Sequence, residues 1–471
     1  MLFNTPQFVI TLFIFIVVWY ILPKACRKPA LLLVNLLFVY LLGGVSTVIT
    51  LITVTVLTYF CGLMLDNCRQ KKIVMGIFIA LLVMLLFYGK YTNYILGLIN
   101  GHLGENGITI TVLTLIGVSY YVFSAISYIV DIYNGKDEAD KNLLDVALWL
   151  MFFTKIIAGP IERHNTFKIQ LNRLKDSKFD FENVKRGLMI CALGYFYKII
   201  IADRVGIFVD AVYGNLEAYA GITLFITMIL YSLQIYFDFA GYSMIAQGVS
   251  YAINLRIVKN FDHPYFSSSI AEFWRRWQIS LSSWLKDYVY IPLGGNRKGK
   301  IRQYVNLMIT FLVSGAWHGA GFSYLIWGGL HGIYQIVEKK ICIRERISRN
   351  WNIVITFMLV SFAWIFFRAN SAMTALRFIR QMFQWNPWVL TDGTLTSLGL
   401  DILDWSVLLI ALVASFIVEL IQLKGISLYE TLMNKNLVAR WLVYYAIFVI
   451  LLIFGIYGAT YDASNFIYFQ Y

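Results

Sequence analysis

Charge is what this sequence has least of. Only 14% of its 471 residues are charged, while 59% are hydrophobic, and the mean hydropathy is +0.68. Soluble domains are about a quarter charged and about half apolar, so a water-soluble globule is excluded and membrane residence takes its place. The five cysteines, Cys26, Cys61, Cys68, Cys191 and Cys342, form no CxxC pair and no zinc-finger spacing, and they read as scattered small apolar residues. Cys26, Cys68 and Cys342 lie beside basic clusters, a weak signal for palmitoylation. No phosphate-binding Walker loop, dinucleotide fingerprint or HExxH pair is present. A GxSxG elbow is missing too. These absences argue against an ATP-driven pump, a nicotinamide enzyme, a zincin and an α/β-hydrolase, and no metal or prosthetic group is expected. No repeat period or low-complexity linker occurs. The first apolar run lacks a basic leader and ends in the basic KACRK segment, so it reads as a retained span rather than a cleaved signal peptide.

The net charge is +13. Its basic residues fall in short clusters between apolar runs, the signature of cytoplasmic loops; nucleic-acid binding is not expected. Aromatic residues stand at 17%, consistent with belts at two bilayer interfaces.

The apolar runs are Phe8–Leu22, Ala30–Leu65, Ile73–Ile99, Ile108–Tyr133, Leu143–Ile157, Gly187–Tyr213, Ile222–Ile253, Tyr304–Val337, Ile353–Phe367, Ile402–Leu423 and Trp441–Tyr457. A crossing helix needs about 20 residues, so Ala30–Leu65 and Tyr304–Val337 can each hold two. Gly43 and Gly44 mark a turn in the first of these. Leu143–Ile157 is short, either re-entrant or buried among other helices. Lys24, Arg27 and Lys28, then Arg69, Lys71 and Lys72, define the cytoplasmic side and put the amino terminus outside. The Asn100–Gly107 loop, without Lys or Arg, belongs outside; Arg163–Arg186 reads as a cytoplasmic surface segment. The runs do not alternate as barrel strands do. The fold class is therefore all-α: a polytopic transmembrane helical bundle of roughly 11 or more membrane helices with re-entrant segments, forming a single membrane-embedded unit over residues 1–471.

Ionisable groups at membrane depth are costly and by default functional. His318 lies in SGAWHGAG (Ser314–Gly321), where glycines admit close approach and Trp317 can wall a site. An imidazole, with an ordinary pKa of about 6.5, can take a proton from a hydroxyl nucleophile; a neutral histidine satisfied by a neighbouring helix fits the spacing equally. Ser314 is a possible supporting polar group. His331, in WGGLHG, is read as structural and nearer a membrane edge. His102 reads as solvated in an outside loop, and His164 and His263, each near a proline, as hydrogen-bonded in loops. Asp238, in IYFDFAGYS, is either a buried acceptor paired with Tyr242 or Ser243, or the orienter of a cationic or imidazole partner.

Glu272–Arg297, EFWRRWQISLSSWLKDYVYIPLGGNR, places Phe273, Trp277, Leu281 and Trp284 at the spacing of one helical face. It predicts an amphipathic helix at the cytoplasmic interface. Trp274, Arg275, Arg276, Trp277, Lys286, Asn296 and Arg297 are candidates for binding an anionic donor, since arginines clamp phosphates.

At these residues the chain resembles the membrane-bound O-acyltransferase family, nearest to the bacterial alginate and peptidoglycan O-acetyltransferase membrane subunits. The motifs are MLFNTPQF, ISYIVDIYNGK, FFTKIIAGPIERHNTF, YKIIIADRV, YFDFAGYS, FDHPYFSSSIAEFWRRW, DYVYIPLGGNRKG and AWHG. They fall mostly within residues 1–340, and the C-terminal helices of 351–471 match mainly in hydrophobicity. FWRRW, YIPLGGNR and WHG in that order are highly specific. The resemblance implies that His318 is the catalytic histidine, reached through a tunnel in the membrane core. It implies acetyl-CoA as cytoplasmic donor, an extracytoplasmic SGNH-hydrolase-like partner transferase, a polysaccharide as indirect acceptor, and residence in a bacterial inner membrane among its lipids. Two positions depart from the pattern. Gln278 stands where relatives often have a second histidine, and glutamine cannot act as a base at neutral pH; it can orient substrate or polarise a thioester carbonyl. Met244 follows GYS where an acidic residue is common. The alternatives are a D-alanyl transfer protein of teichoic-acid modification, and a transporter or channel, for which broken helices and buried polar groups also serve.

Overall fold

The computed structural model describes residues 3–103, 115–157, 159–341 and 347–457, without the side chains of residues 102, 103 and 175. The expectations placed on the His102 side chain and on Cys342 lie outside the described residues. Every regular element among the described residues is helical.

The chain opens with α1 (Pro6–Ile21), α2 (Arg27–Asn67), α3 (Lys71–Leu103), α4 (Val118–Tyr133) and α5 (Leu143–Leu150). A single turn, α6 (Phe153–Ile156), precedes α7 (His164–Arg173), α8 (Phe181–Tyr195), α9 (Asp203–Gly214) and α10 (Ile222–Ala252). The next group is α11 (Ile270–Arg276), α12 (Ile279–Leu285), α13 (Lys300–His318), α14 (Phe322–Ile341) and α15 (Arg349–Arg368). The last described elements are α16 (Ala372–Met382), α17 (Ile402–Leu423), α18 (Leu428–Met433) and α19 (Leu437–Phe454). Among the described residues six helices, α2, α3, α10, α15, α17 and α19, are long and apolar enough to cross a membrane.

Three expectations are met by local physics. Gly44 interrupts α2 with φ 68 and ψ −167, values a glycine adopts without a Cβ clash. The run Tyr304–Val337 divides into α13 and α14 around Gly319–Gly321. Leu143–Ile157 is buried among other helices, with Val146, Leu148 and Trp149 inaccessible. The loop expected over Asn100–Gly107 is helical as far as Leu103, where α3 ends, and its remainder lies outside the described residues.

The centre of the protein is α10. In its most apolar stretch 72% of residues are buried, against 11% in α3 and none in α19. The last two therefore turn most of their surface to lipid, and α10 is wrapped by protein. It meets α8 almost backbone to backbone: a Cβ on Gly187 would lie 2.5 Å from the Gly248 carbonyl oxygen, and one on Gly194 2.6 Å from that of Gly241. Such small-residue contacts hold helices together in lipid, where burial of apolar surface gives no drive. Between α8 and α9 the chain forms a widened π-turn, Phe196–Ala202. It carries Lys198, whose Nζ lies 2.7 Å from Asp203 Oδ1 and 2.7 Å from Asp238 Oδ1 on α10.

Of the two readings of Asp238, this supports the one with a cationic partner, which is the Lys198 ammonium. The cluster sits within a run that looks simply apolar, so Asp238 is not an isolated intramembrane charge.

Candidate functional site

The second half of α13 carries Ser314, Trp317 and His318 on its final turns. It packs tightly on α14: a Cβ on Gly315 would fall 2.3 Å from the Tyr324 carbonyl oxygen. The helix stops at His318 because Gly319 is extended, with φ −167 and ψ 166. A helix end leaves carbonyls without intrahelical donors, and here they are met from α3. The Tyr91 hydroxyl donates to the Ala316 carbonyl at 2.6 Å, and the Lys90 ammonium donates to the Trp317 carbonyl and lies 5.2 Å from the centroid of the Trp317 ring.

His318 is only 4% exposed and points into protein. Its ring is surrounded by Trp317 at 4.8 Å, Trp327 at 4.9 Å and Phe367 at 5.2 Å. Trp327 is shared with a second imidazole, His331, at 5.2 Å. His331 is fully buried. The Trp274 indole N–H donates to His331 Nδ1 at 3.2 Å. Indole nitrogen is a donor only, so Nδ1 accepts and the neutral ring carries its proton on Nε2. That Nε2 has no hydrogen-bond partner among the described residues. The same holds for the hydroxyl of Ser314, one turn before His318 and 1% exposed.

The single amphipathic helix expected over Glu272–Arg297 is absent. The chain breaks at Gln278, whose φ of 41 is left-handed, leaving the short helices α11 and α12 on either side. Phe273, Trp277, Leu281 and Trp284 are all buried in protein; their spacing reflects core packing instead of lipid contact. The break turns the Gln278 side chain inward to face the Tyr120 hydroxyl, and Tyr120 in turn lies 5.3 Å from Trp317. Gln278 thus adjoins the histidine site through Tyr120.

The donor-binding candidates do not converge. Trp274 and Trp277 are core residues, Trp277 lying 5.1 Å from Trp364. Arg276 is held by Glu272 at 2.9 Å. Arg275, Lys286, Asn296 and Arg297 are exposed. Two apolar grooves of about 290 and 400 Å³ lie elsewhere, the first between α2 and α3, the second between α8 and α19.

The remaining histidines have ionic surroundings. His164 is pinched between Asp137 Oδ2 at 2.8 Å and Asp140 Oδ2 at 3.3 Å, with Lys168 also 3.2 Å from Asp140. Burial alone would lower its pKa, but hydrogen bonds to both aspartates outweigh that and raise it above the ordinary value. His263 approaches Glu419 at 3.6 Å, and the Tyr236 hydroxyl donates to the same carboxylate at 2.7 Å. The partners of His164 lie in the loop between α4 and α5, in keeping with the loop hydrogen bonding expected for it. Lys90, Tyr91 and Tyr120 were missed by the sequence reading; of these, Lys90 left a signal, a charge inside the run Ile73–Ile99.

The arrangement defines a class first: a helical membrane protein with two imidazoles packed among indoles deep inside the chain. The membrane-bound O-acyltransferase family model matches residues 75–390, and the chain belongs to that family. It is 36% identical over 403 residues to a protein of Pseudomonas syringae pv. tomato named Probable alginate O-acetylase, covering 83% of this chain and 76% of that one. It is 32% identical over 424 residues to the Peptidoglycan O-acetyltransferase of Helicobacter pylori, covering 81% and 80%. It is 28% identical over 280 residues to the Teichoic acid D-alanyltransferase of Bacillus subtilis, covering 54% and 69%. The chain is an O-acyltransferase of the membrane, which removes the transporter alternative.

Proposed function

We propose that this protein is the inner-membrane subunit of a polysaccharide O-acetylation system in a bacterium, and that the whole chain works as one membrane-embedded unit. It takes acetyl groups from cytoplasmic acetyl-CoA and delivers them across the membrane for an extracytoplasmic glycan of the alginate or peptidoglycan kind, through a partner transferase of the SGNH-hydrolase type. The observation that carries this is the burial of His318 at the end of α13, inside protein and beside a second imidazole.

In the proposed chemistry the acceptor hydroxyl gives its proton to the His318 imidazole as its oxygen attacks the thioester carbonyl. The C–O bond forms, the C–S bond breaks, and the coenzyme A thiolate leaves with the proton returned from the imidazolium. Gln278, held by Tyr120, and the hydroxyl of Ser314 are the groups available to orient or polarise the carbonyl; Asp238 acts in the scaffold instead, through Lys198. The exposed cations Arg275, Lys286 and Arg297, with Asn296, supply the anion-attracting surface where a phosphate-bearing donor first docks. The apolar helices around the site keep water from the thioester. Relative to the D-alanyl alternative, the acetyl reading is supported by higher identity over a longer span.

The test is His318→Ala, with membrane abundance checked and labelled acetyl-CoA as donor. Transfer is expected to fall about 10²–10⁴-fold. Undiminished transfer overturns the role of His318, and consumption of a D-alanyl carrier in place of acetyl-CoA overturns the donor.

A further inference from the structure

We propose that Lys90 is a positioning residue for acyl transfer: it closes the open end of α13 and thereby fixes the peptide that presents His318. The inference rests on the reading of His318 as the proton acceptor.

Lys90 follows Lys71 by 19 residues on α3, or about 28 Å along a helix rising 1.5 Å per residue, within a stretch whose mean hydropathy is 2.3. A lysine so placed commonly snorkels towards the nearest headgroups. This one turns into the protein. Its ammonium donates to the Trp317 carbonyl, the acceptor of the peptide bond that joins Trp317 to His318. It also stands over the Trp317 ring, which Tyr120 and Phe123 confine from other sides at 5.3 and 5.4 Å.

Three physical consequences follow. The carbonyls at a helix C-terminus carry partial negative charge, and a cation there is stabilising. The residue after His318 is a glycine in extended conformation, so the helix does not continue past the site. Tyr91, at Ala316, and the Gly319 amide, at Gly315, supply further closing bonds one and two residues earlier. Removing Lys90 therefore frees the Trp317–His318 peptide while leaving the rest of α13 clamped to α14.

The experiment compares Lys90→Met, Lys90→Arg and Lys90→Gln in the full chain, in membranes, with labelled acetyl-CoA. For Lys90→Met, kcat is expected to fall about 100-fold, the scale of a 1 Å misplacement, with donor KM and melting temperature little changed. Lys90→Arg keeps a cationic donor and is expected to restore most of the rate. In a His318→Ala background Lys90→Met is expected to cause no further loss, because coupled residues are non-additive. A Met variant that fails to accumulate is replaced by Lys90→Gln under the same criteria. The proposal is overturned by near-normal kcat in the Met variant, by a loss that appears in KM, by failure of arginine to restore the rate, or by an undiminished effect without His318. If His318→Ala alone leaves transfer intact, the proposed function falls, an outcome separate from any result at Lys90.

Discussion

Two buried regions handle polarity in opposite ways. Around Lys198 one ammonium is shared by two carboxylates, and around His164 one imidazole is shared by two more. Charge there is satisfied internally, at the cost of flexibility, and these clusters bolt helices together. Around His318 and His331 the neighbours are indole and phenyl rings, and polar atoms such as Ser314 Oγ and His331 Nε2 find no hydrogen-bond partner among the described residues. Buried polar groups are ordinarily satisfied. One kind of region is held together by ion pairs, the other by ring packing around two imidazoles.

The contrast can be broken most severely at Lys198. Lys198→Met strands two buried carboxylates and is expected to cost about 3–5 kcal/mol, the scale for removing one partner of a buried pair. Loss of folded protein in a detergent melt checks it, and adding Asp203→Asn with Asp238→Asn should return most of the stability. A milder break is Gly315→Ala, whose methyl would meet the Tyr324 carbonyl oxygen at 2.3 Å. It is expected to destabilise the protein by about 1–3 kcal/mol through overpacking, and to reduce transfer because it separates α13 from α14; the melt and the rate together decide. Trp274→Phe removes the donor to His331 Nδ1 and should cost about 1 kcal/mol while releasing the ring tautomer. Two His331 tautomers in a nitrogen NMR spectrum, where the parent shows one, would establish it.

The smallest effect is a pH dependence at His164. Its folded pKa is raised, so its contribution to stability is complete below the unfolded value of about 6.5 and is lost as pH rises through the folded value. Between those limits the melting temperature should decline, and His164→Gln should flatten the decline. An unchanged slope in that variant would remove His164 from the account.

Much was readable before any coordinates. Hydropathy gave the all-helical class, though six of the described helices, against the roughly 11 expected, are long and apolar enough to cross; Gly44 gave its break, and FWRRW, YIPLGGNR and WHG the family. What misled was local pattern without neighbours. Phe273, Trp277, Leu281 and Trp284 keep helical spacing across a chain that is not one helix, because a left-handed Gln278 redirects it and both halves still face the core. Lys198 and Asp203 disappeared into an apolar run because the third member of their cluster, Asp238, lies thirty-five residues beyond Asp203 and only the fold brings it to Lys198. The donor-binding set mixed core tryptophans with surface cations, since an aromatic beside an arginine has the same sequence signature in either setting.

The sequence by itself determined that this chain lives in a membrane, that it is helical, and that it carries an acyltransferase's histidine motif, because hydrophobic run length and local motifs are properties of neighbouring residues. Only the tertiary structure decided which buried ions pair, that Lys90 and Tyr91 of α3 close the end of α13, and that His331 shares Trp327 with His318. Those outcomes depend on which helices meet, and in lipid that is fixed by close packing and by the need of every buried polar group for a partner.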